Sequence, residues 1–293
     1  MLKLKIVTLW GKRMFEIVSK KYLNESVVEM DILAPHVAKK AEAGQFVILR
    51  VDEEGERIPL TIASFDRECG TVKIIFQIVG ATTKMLEHKN VGEHLQDFVG
   101  PLGVASHLAG LKNVCIIGGG VGCAIALPLA KKLFENKANV TSIIGFRNKD
   151  LVILENEFKK HSNNFVLTTD DGSCGIRGNV CLPLDEMLKG GEKFDRIFAI
   201  GPLVMMKYVV ETAKKYAVPC TVSMNPIMID GTGMCGCCRL IVDGETKFAC
   251  VDGPDFDGYK VNFDEMMMRN RIYGEFERHA YEKACNLFKK EAK

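Results

Sequence analysis

Apolar residues recur along the chain with three different rhythms, and the rhythm changes at residue 112 and again near residue 223. Over the first stretch the apolar runs are short. "EMDILAP", "QFVILRVD" and "TVKIIFQIVG" are rich in Val, Ile and Phe and are bounded by Gly, Pro or acidic residues, the signature of strands. Several such strands at close spacing predict a small β-barrel over residues 1–98, interrupted by one helical stretch, "TTKMLEHK".

From residue 112 strand-like and helix-like runs alternate. "NVCIIGGG" is a buried-type strand ending in glycines, and "CAIALPLAKKLFEN" has helical apolar spacing. "NVTSIIGF", "LVILENEFKKH", "NFVLTTD", "FDRIFAIGP", "LVMMKYVVETAKKY" and "CTVSMNP" continue the series. This alternation predicts an α/β domain over 99–222, a parallel sheet with helices on both faces, joined to the barrel through "GPLG" at 100–103 as linker. Residues 223–262 read as a small glycine- and cysteine-rich domain with one hairpin, "RLIVDGETKFAC", turning at Asp243-Gly244. A C-terminal segment, 263–293, reads as one long helix over 263–290. Its Met266, Met267, Met268, Ile272, Phe276 and Tyr281 offer more apolar surface than a tail needs. That surface either meets a partner chain or packs back on the chain's own domains.

Charge narrows the field. Lys and Arg total 39 against 37 Asp and Glu, with no long like-charge run, so nothing points to nucleic acid or an anionic membrane as partner. The N-terminal "MLKLKIVTLWGKRMF" is too broken by Lys and Arg for the apolar region of a signal peptide. No stretch approaches the roughly 18 apolar residues of a membrane span. A soluble, cytoplasmic protein is expected. In that setting eleven cysteines suggest metal or redox chemistry before disulfides. Cys69, Cys115, Cys123, Cys174, Cys181, Cys220 and Cys285 are scattered and are expected to be ordinary buried small residues.

The other cysteines are not scattered. "IDGTGMCGCCRLIVDGETKFACVDGP" (229–254) holds Cys235, Cys237, Cys238 and Cys250 in a glycine-rich loop. A zinc site wants two C-x2-C-like pairs, and only Cys235-x2-Cys238 qualifies, followed by a single Cys250. The plant-type two-iron spacing, C-x4-C-x2-C with a later fourth cysteine, fits better. Its first position falls on Asp230, giving Asp-x4-Cys-x2-Cys-x11-Cys. The expected ligands of a [2Fe–2S] cluster are therefore Asp230, Cys235, Cys238 and Cys250, with a carboxylate oxygen in place of one thiolate. Asp230 has a second reading, as a carboxylate capping the turn at Gly231. Cys237 is expected not to ligate, because neighbouring side chains in a loop diverge.

"GGGVGCA" (118–124) follows a strand and opens a helix, so Gly118, Gly119, Gly120, Val121 and Gly122 form a candidate pyrophosphate loop, or a tight turn without ligand. The G-x-G-x-x-G fingerprint is broken by Cys123. "VTSIIGF" does not end in the acidic residue that would hold a ribose hydroxyl. Arg147 and Lys149 follow it, which leans toward a 2′-phosphate or marks an exposed turn.

In the barrel, "RIPLTIAS" (57–64) and "FQIVGATT" (76–83) complete a resemblance. Barrel, GGG-containing nucleotide domain and C-terminal plant-type cluster together resemble the ferredoxin-reductase-like family, in the branch of the electron-transfer subunit of dihydroorotate dehydrogenase. That branch has an Arg-Pro-x-Ser stretch at the flavin and a V-G-x-G-T stretch at its phosphates. Here the matching residues are Ile58-Pro59-Leu60-Thr61 and Val79-Gly80-Ala81-Thr82-Thr83, so Ile58 replaces the arginine and Thr82 a glycine. The resemblance implies an FAD site formed by Arg57, Pro59, Leu60, Thr61, Ile62, Phe76, Gln77, Ile78, Gly80, Thr82 and Thr83, with the Thr61 hydroxyl near the isoalloxazine as its catalytic group. It implies a nucleotide site that adds Arg147, Gly201 and Pro202 to the glycine loop, with NAD(H) preferred.

Asp230 and the long tail are very similar to the small subunits of NADH-dependent reduced ferredoxin:NADP oxidoreductases, which bifurcate electrons. That branch implies a heterodimer with a large flavin and iron–sulfur subunit similar to the small chain of glutamate synthase, through which ferredoxin is reached. The order of parts is then chemical: NAD exchanges two electrons at once and a cluster one, so a flavin stands between them. The alternatives are the same module serving dihydroorotate dehydrogenase, or a stand-alone flavin diaphorase.

Overall fold

The computed structural model describes residues 15–291, so nearly all of the N-terminal stretch weighed above as an export signal lies outside the described residues, as do residues 292 and 293 of the tail. The first part is an antiparallel sheet of β1 (Ile17–Asn24), β2 (Val27–Leu33), β3 (Phe46–Arg50), β4 (Arg57–Asp66), β5 (Thr71–Gln77) and β6 (Asp97–Leu102), in the order β1-β2-β5-β4-β3-β6. Two short helices, α1 (Pro35–Lys40) and α2 (Ala81–His88), interrupt it. Backbone hydrogen bonds from Ile17 N to Glu93 O and from Leu95 N to Phe15 O join the segment before β6 to the start of β1.

β3 is apolar on both faces. Val47 and Leu49 enter the sheet's own core, with Met30, Ile62 and Phe76, while Phe46 and Ile48 enter a core shared with the rest of the chain. The "GPLG" stretch read as linker is in fact mostly strand: Gly100, Pro101 and Leu102 belong to β6. A Cβ on Gly100 would lie 2.8 Å from Val47 Cγ1, so glycine is what lets β6 lie close against β3.

The second part is a seven-stranded sheet in the order β10-β9-β8-β7-β11-β12-β15. β7 (Asn113–Gly119), β8 (Asn139–Phe146), β9 (Asn164–Thr169), β10 (Ile176–Arg177), β11 (Arg196–Ile200) and β12 (Cys220–Ser223) run parallel, and β15 (Asp255–Asp257) pairs antiparallel with β12. α3 (Gly122–Glu135) and α4 (Glu155–Lys160) cover one face, and α5 (Cys181–Lys189) and α6 (Leu203–Lys215) the other. Helices on both faces leave the central strands no polar side, which is why β7 reads as a continuous apolar run.

The cysteine segment contains β13 (Arg239–Val242) and β14 (Glu245–Phe248), joined as expected at Asp243-Gly244, both with positive φ (56° and 77°). The tail is not one helix. α7 (Phe263–Arg269) ends and α8 (Gly274–Glu291) begins after a turn in which Arg271, Ile272 and Gly274 donate to carbonyls three residues back. Gly274, a poor interior helix former, marks the restart. α8 then packs against α2 of the first sheet. Met266 is buried, whereas Met268, Ile272, Tyr273 and Phe276 are exposed. Among the described residues no helix is long and apolar enough to cross a membrane. The scattered cysteines divide: Cys115, Cys123 and Cys220 are buried, but Cys174, Cys181 and Cys285 are half-buried and Cys69 is exposed at a turn, against the expectation for all seven.

The parts are knitted where the segment after Cys250 returns. Val104 N donates to Gly253 O and Met224 N to Pro254 O. The Ser106 hydroxyl donates to Asp255 Oδ2 at 2.5 Å, and Asp255 stands opposite Ser223 in the β12–β15 pair. Burial pushes the Asp255 carboxyl above its ordinary value, against the lowering effect of the two serines.

Two outcomes follow from these contacts. A Cβ on Gly122 would lie 2.5 Å from Ile200 O and 2.7 Å from Gly201 Cα, so Gly122→Ala is expected to cost about 1–3 kcal/mol in urea unfolding, as overpacking does. Asp255 binds its proton more tightly folded than unfolded, so its contribution to stability declines as pH rises from the ordinary carboxyl value through the raised one. Asp255→Asn, neutral throughout, is expected to remove that slope and to be at least as stable as the parent above neutral pH. An unchanged pH profile of urea midpoints would sink this assignment.

Candidate functional site

A cleft of about 450 Å³ opens over the carboxyl ends of the parallel strands, walled on the far side by Ser26, Val27 and Gln77 of the first sheet. This is where open α/β sheets bind ligands. Gly119, Gly120, Val121 and Gly122, which follow or end β7, line it together with Gly201 and Pro202, which follow β11. Gly118 does not: it lies in the strand, where a Cβ would meet Cys123 Sγ at 2.9 Å. Cys123, which breaks the fingerprint, is buried packing, and Gly122 makes the close approach to the β11 turn instead. Gly120 has φ +56° and donates its N–H to Gly145 O at 2.9 Å. A Cβ there would have no neighbour within 4 Å, so this turn presents bare backbone.

Arg147 lines the cleft after β8; Lys149 is not among the lining residues and opens a short turn over 149–151. Asp170, after β9, lines it too. Sequence reading missed Asp170 because it sought an acidic residue only after "VTSIIGF", although "NFVLTTD" ends in one.

The "RIPLTIAS" stretch lies on β4. Its register with β3 pairs Phe46 with Thr61, Ile48 with Pro59 and Arg50 with Arg57, so these six side chains share one face. Ile58, Leu60 and Ile62 pack into the opposite, inner core, with Ile62 fully buried. Ile58, standing where the family has arginine, thus meets an apolar environment. Phe76 and Thr82 are also buried and Ile78 packs on the same core. Through this stretch Val79 is exposed, Pro59, Thr61 and Gln77 are half-buried, and the backbone is bare at Gly80. Gly80 precedes α2 with open space where a Cβ would be, and Thr83 Oγ1 accepts from the N–H groups of Val79 and Gly80 at 3.0 Å each. Thr82 Oγ1 donates to Glu56 at 3.3 Å. Arg57 turns elsewhere: its Nε donates to Ile229 O at 3.0 Å, beside the cysteine loop.

The four expected metal ligands divide into two ends of that loop. Cys238 and Cys250 are buried with their sulfurs 3.2 Å apart. Burial, reinforced by the Cys238 thiol, pushes the Cys250 thiol up to about 12. Cys235 is exposed, and backbone hydrogen bonding from Cys237, opposed by desolvation, holds its thiol below the ordinary value. Cys237 lies beside it, its thiol raised by the hydrogen bond to Cys235. Asp230 Oδ2 accepts from Thr232 N at 2.9 Å, Thr232 Oγ1 at 2.6 Å and Met234 N at 3.2 Å. These bonds, the Thr232 hydroxyl first, together with the nearby charge of the Arg57 guanidinium, the smallest contribution, keep its carboxyl below the usual range. The loop-capping reading of Asp230 therefore describes its hydrogen bonds. Among the described residues no three His, Cys, Asp or Glu side chains stand together as a holder for a single ion. The loop holds a buried thiol pair together with an exposed thiol and a carboxylate nearby in sequence, donor types that suit iron.

Residues 225–262 match the iron–sulfur cluster binding domain of dihydroorotate dehydrogenase B. The chain is 45% identical over 273 residues to a homologue of the dihydroorotate dehydrogenase B (NAD(+)) electron-transfer subunit from Thermotoga maritima, covering 93% of this chain and 96% of that one. It is similar to a chain in the solved structure of an NADH-dependent reduced ferredoxin–NADP oxidoreductase, with 45% identity, a TM-score of 0.87, and coverage of 92% of this chain and 97% of that one. The ferredoxin reductase of carbazole 1,9a-dioxygenase shares the fold at 19% identity, with a TM-score of 0.59 over 70% of this chain and 64% of its own. Ferredoxin-reductase-like in its sheets and carrying an iron–sulfur-type domain, the chain belongs to the family of dihydroorotate dehydrogenase B electron-transfer subunits and their homologues.

Proposed function

We propose that the chain is the electron-transfer subunit of an NADH-dependent reduced ferredoxin–NADP oxidoreductase. In this reading it carries FAD, a [2Fe–2S] cluster and NAD(H), and pairs with a large flavin and iron–sulfur subunit similar to the small chain of glutamate synthase. The observation that carries the reading is Asp230 at the first position of a plant-type cluster spacing, in a chain that matches such an oxidoreductase structure over 92% of its length. The domains are read as 1–98, a closed β-barrel for FAD; 99–222, for nucleotide; 223–262, for the cluster; and 263–293, a helical tail. The hydrogen bonds between residues 93–95 and 15–17 support closure of the barrel.

Pro59 and Thr61 on the outer face of β4, with Gln77 and the backbone at Gly80, are the residues of this chain suited to the flavin. The start of α2 suits its phosphates, since a helix N-terminus with bare backbone favours an anion. Bound FAD supplies the conversion between hydride transfer and single-electron transfer. The open backbone at Gly120 and the glycine-lined start of α3 suit the nucleotide pyrophosphate on the same physics. Asp170 favours NAD over NADP: a carboxylate accepts a hydrogen bond from a ribose hydroxyl and repels a 2′-phosphate, offsetting the attraction of Arg147. Asp230, Cys235, Cys238 and Cys250 are the proposed cluster ligands. The free Oδ1 side of Asp230 remains for metal while Oδ2 holds the turn.

A second reading, the electron-transfer subunit of a dihydroorotate dehydrogenase, is favoured by the match at residues 225–262. A dihydroorotate dehydrogenase found with the chain on purification would sustain it.

The direct test is the absorption and EPR spectrum of the purified protein with iron, sulfide and flavin counts: about two irons, two sulfides and one FAD are expected, since a [2Fe–2S] centre is proposed. Asp230→Cys should keep the cluster with a shifted EPR signal, Asp230→Ala should leave it labile, and Cys237→Ala should leave it intact. Loss of iron in Cys237→Ala, with an unaltered spectrum in Asp230→Ala, would instead assign four cysteines. Asp170→Ser is expected to narrow the preference for NADH over NADPH by about tenfold or more, as loss of one charged contact does. An unchanged ratio of kcat/KM for the two would remove Asp170 from the nucleotide site.

A further inference from the structure

We infer that Arg57 is a positioning residue for the cysteine loop, and that the charged row Arg57–Arg50–Asp97 sets the electrostatic field at the Asp230 end of that loop. The inference rests on reading the loop as the cluster site, and extends it to a residue of the first sheet.

The row is built by register. Arg50 on β3 stands opposite Arg57 on β4 and opposite Asp97 on β6. Adjacent arginines repel unless an anion is shared between them. Asp97 Oδ2 is that anion, 2.7 Å from Arg50 Nε and 3.6 Å from Arg57 Nη1. Two arginines share one carboxylate, so the row keeps one net positive charge, weighted toward Arg57 because Asp97 lies closer to Arg50. The shorter bond of Arg57 goes across 172 positions of sequence to the carbonyl of Ile229, the residue before Asp230. The next residue, Gly231, has φ +82° and lies flat on the sheet: a Cβ there would be 2.7 Å from Ile48 Cγ1 and 2.9 Å from Leu102 Cδ1. The first turn of the cysteine loop is thus seated on β3 and β6 and clasped from β4.

Arg57 shares its face of β4 with Pro59 and Thr61. Thr61 lies four residues along the strand from Arg57, about 14 Å. Arg57 therefore lies at the cysteine-loop end of that face, away from the proposed flavin position at Thr61. A cationic side chain beside a cluster stabilises the form that has gained an electron, so Arg57 raises the cluster's reduction potential. Because its bond to Ile229 is also mechanical, charge and clasp are separable by substitution.

The test uses the full chain in three variants, with two readouts. The first is an EPR-monitored redox titration of the cluster. The second is amide hydrogen exchange over 229–236 in chain stripped of iron by a chelator. Arg57→Met is expected to move the cluster potential negative and to speed exchange at Thr232 and Met234 about tenfold, the loss of one hydrogen bond from a charged donor. Arg57→Lys should hold the potential near the parent value while exchange still quickens. Asp97→Asn should move the potential positive. The inference is overturned if Arg57→Met leaves both readouts at parent values, or if Asp97→Asn shifts the potential in the same direction as Arg57→Met. A parent protein without iron would defeat the cluster reading alone; the exchange rates would still decide whether Arg57 holds the loop.

Discussion

The structure depends on one contact: the outer face of β3 against the cysteine segment. Phe46 and Ile48 leave the first sheet's own core and join Cys238, Leu240, Cys250 and Phe256, which in turn pack with Ile197, Val209 and Val222 of the parallel sheet. A strand apolar on both faces cannot lie at the surface without exposing one of them, so the first sheet is bound to find a partner. Hydrophobic burial of this kind has no direction of its own. Direction comes from polar bonds around its edge: Val104 to Gly253, Met224 to Pro254, Ser106 to Asp255 and Arg57 to Ile229. The apolar contact holds the parts together and the polar rim fixes their angle, and with it the cleft between the first sheet and the glycine loop.

Much of this was legible in the sequence because it is local. The strands around "QFVILRVD" and "TVKIIFQIVG", the alternation after residue 112, the glycine loop and the Asp243-Gly244 hairpin each carry their signal within a few residues. What escaped depends on partners distant in the chain. "GPLG" looks like a linker until Val47 is found packed beneath Gly100. The tail reads as one helix because its apolar spacing continues, while the break at Gly274 serves the packing of α8 on α2, nearly two hundred positions earlier. Asp170 escaped because the strand that carries the acidic residue is set by sheet order, which spacing does not record.

The site was legible in the same uneven way. Spacing alone selected Cys235, Cys238 and Cys250, but it could not foresee that two would be buried together and one left exposed. Strand alternation puts Arg57 and Ile58 on opposite faces, but only pairing shows that Arg57 faces the cysteine loop and Ile58 the core. The family pattern, read position by position, counts Ile58 as a lost arginine; packing shows an apolar side chain in an apolar place.

The cysteine loop has an inside and an outside. Cys238 and Cys250 are sealed among Leu240, Ala249 and Phe256, and Cys235 meets solvent next to Met234, which is 87% exposed. Corrosion therefore has a preferred entrance. Peroxide, chelators and heavy metals meet the sulfur of Cys235 before those of the inner pair, because it alone of the three stands in solvent. Damage to this protein should begin at its outer rim.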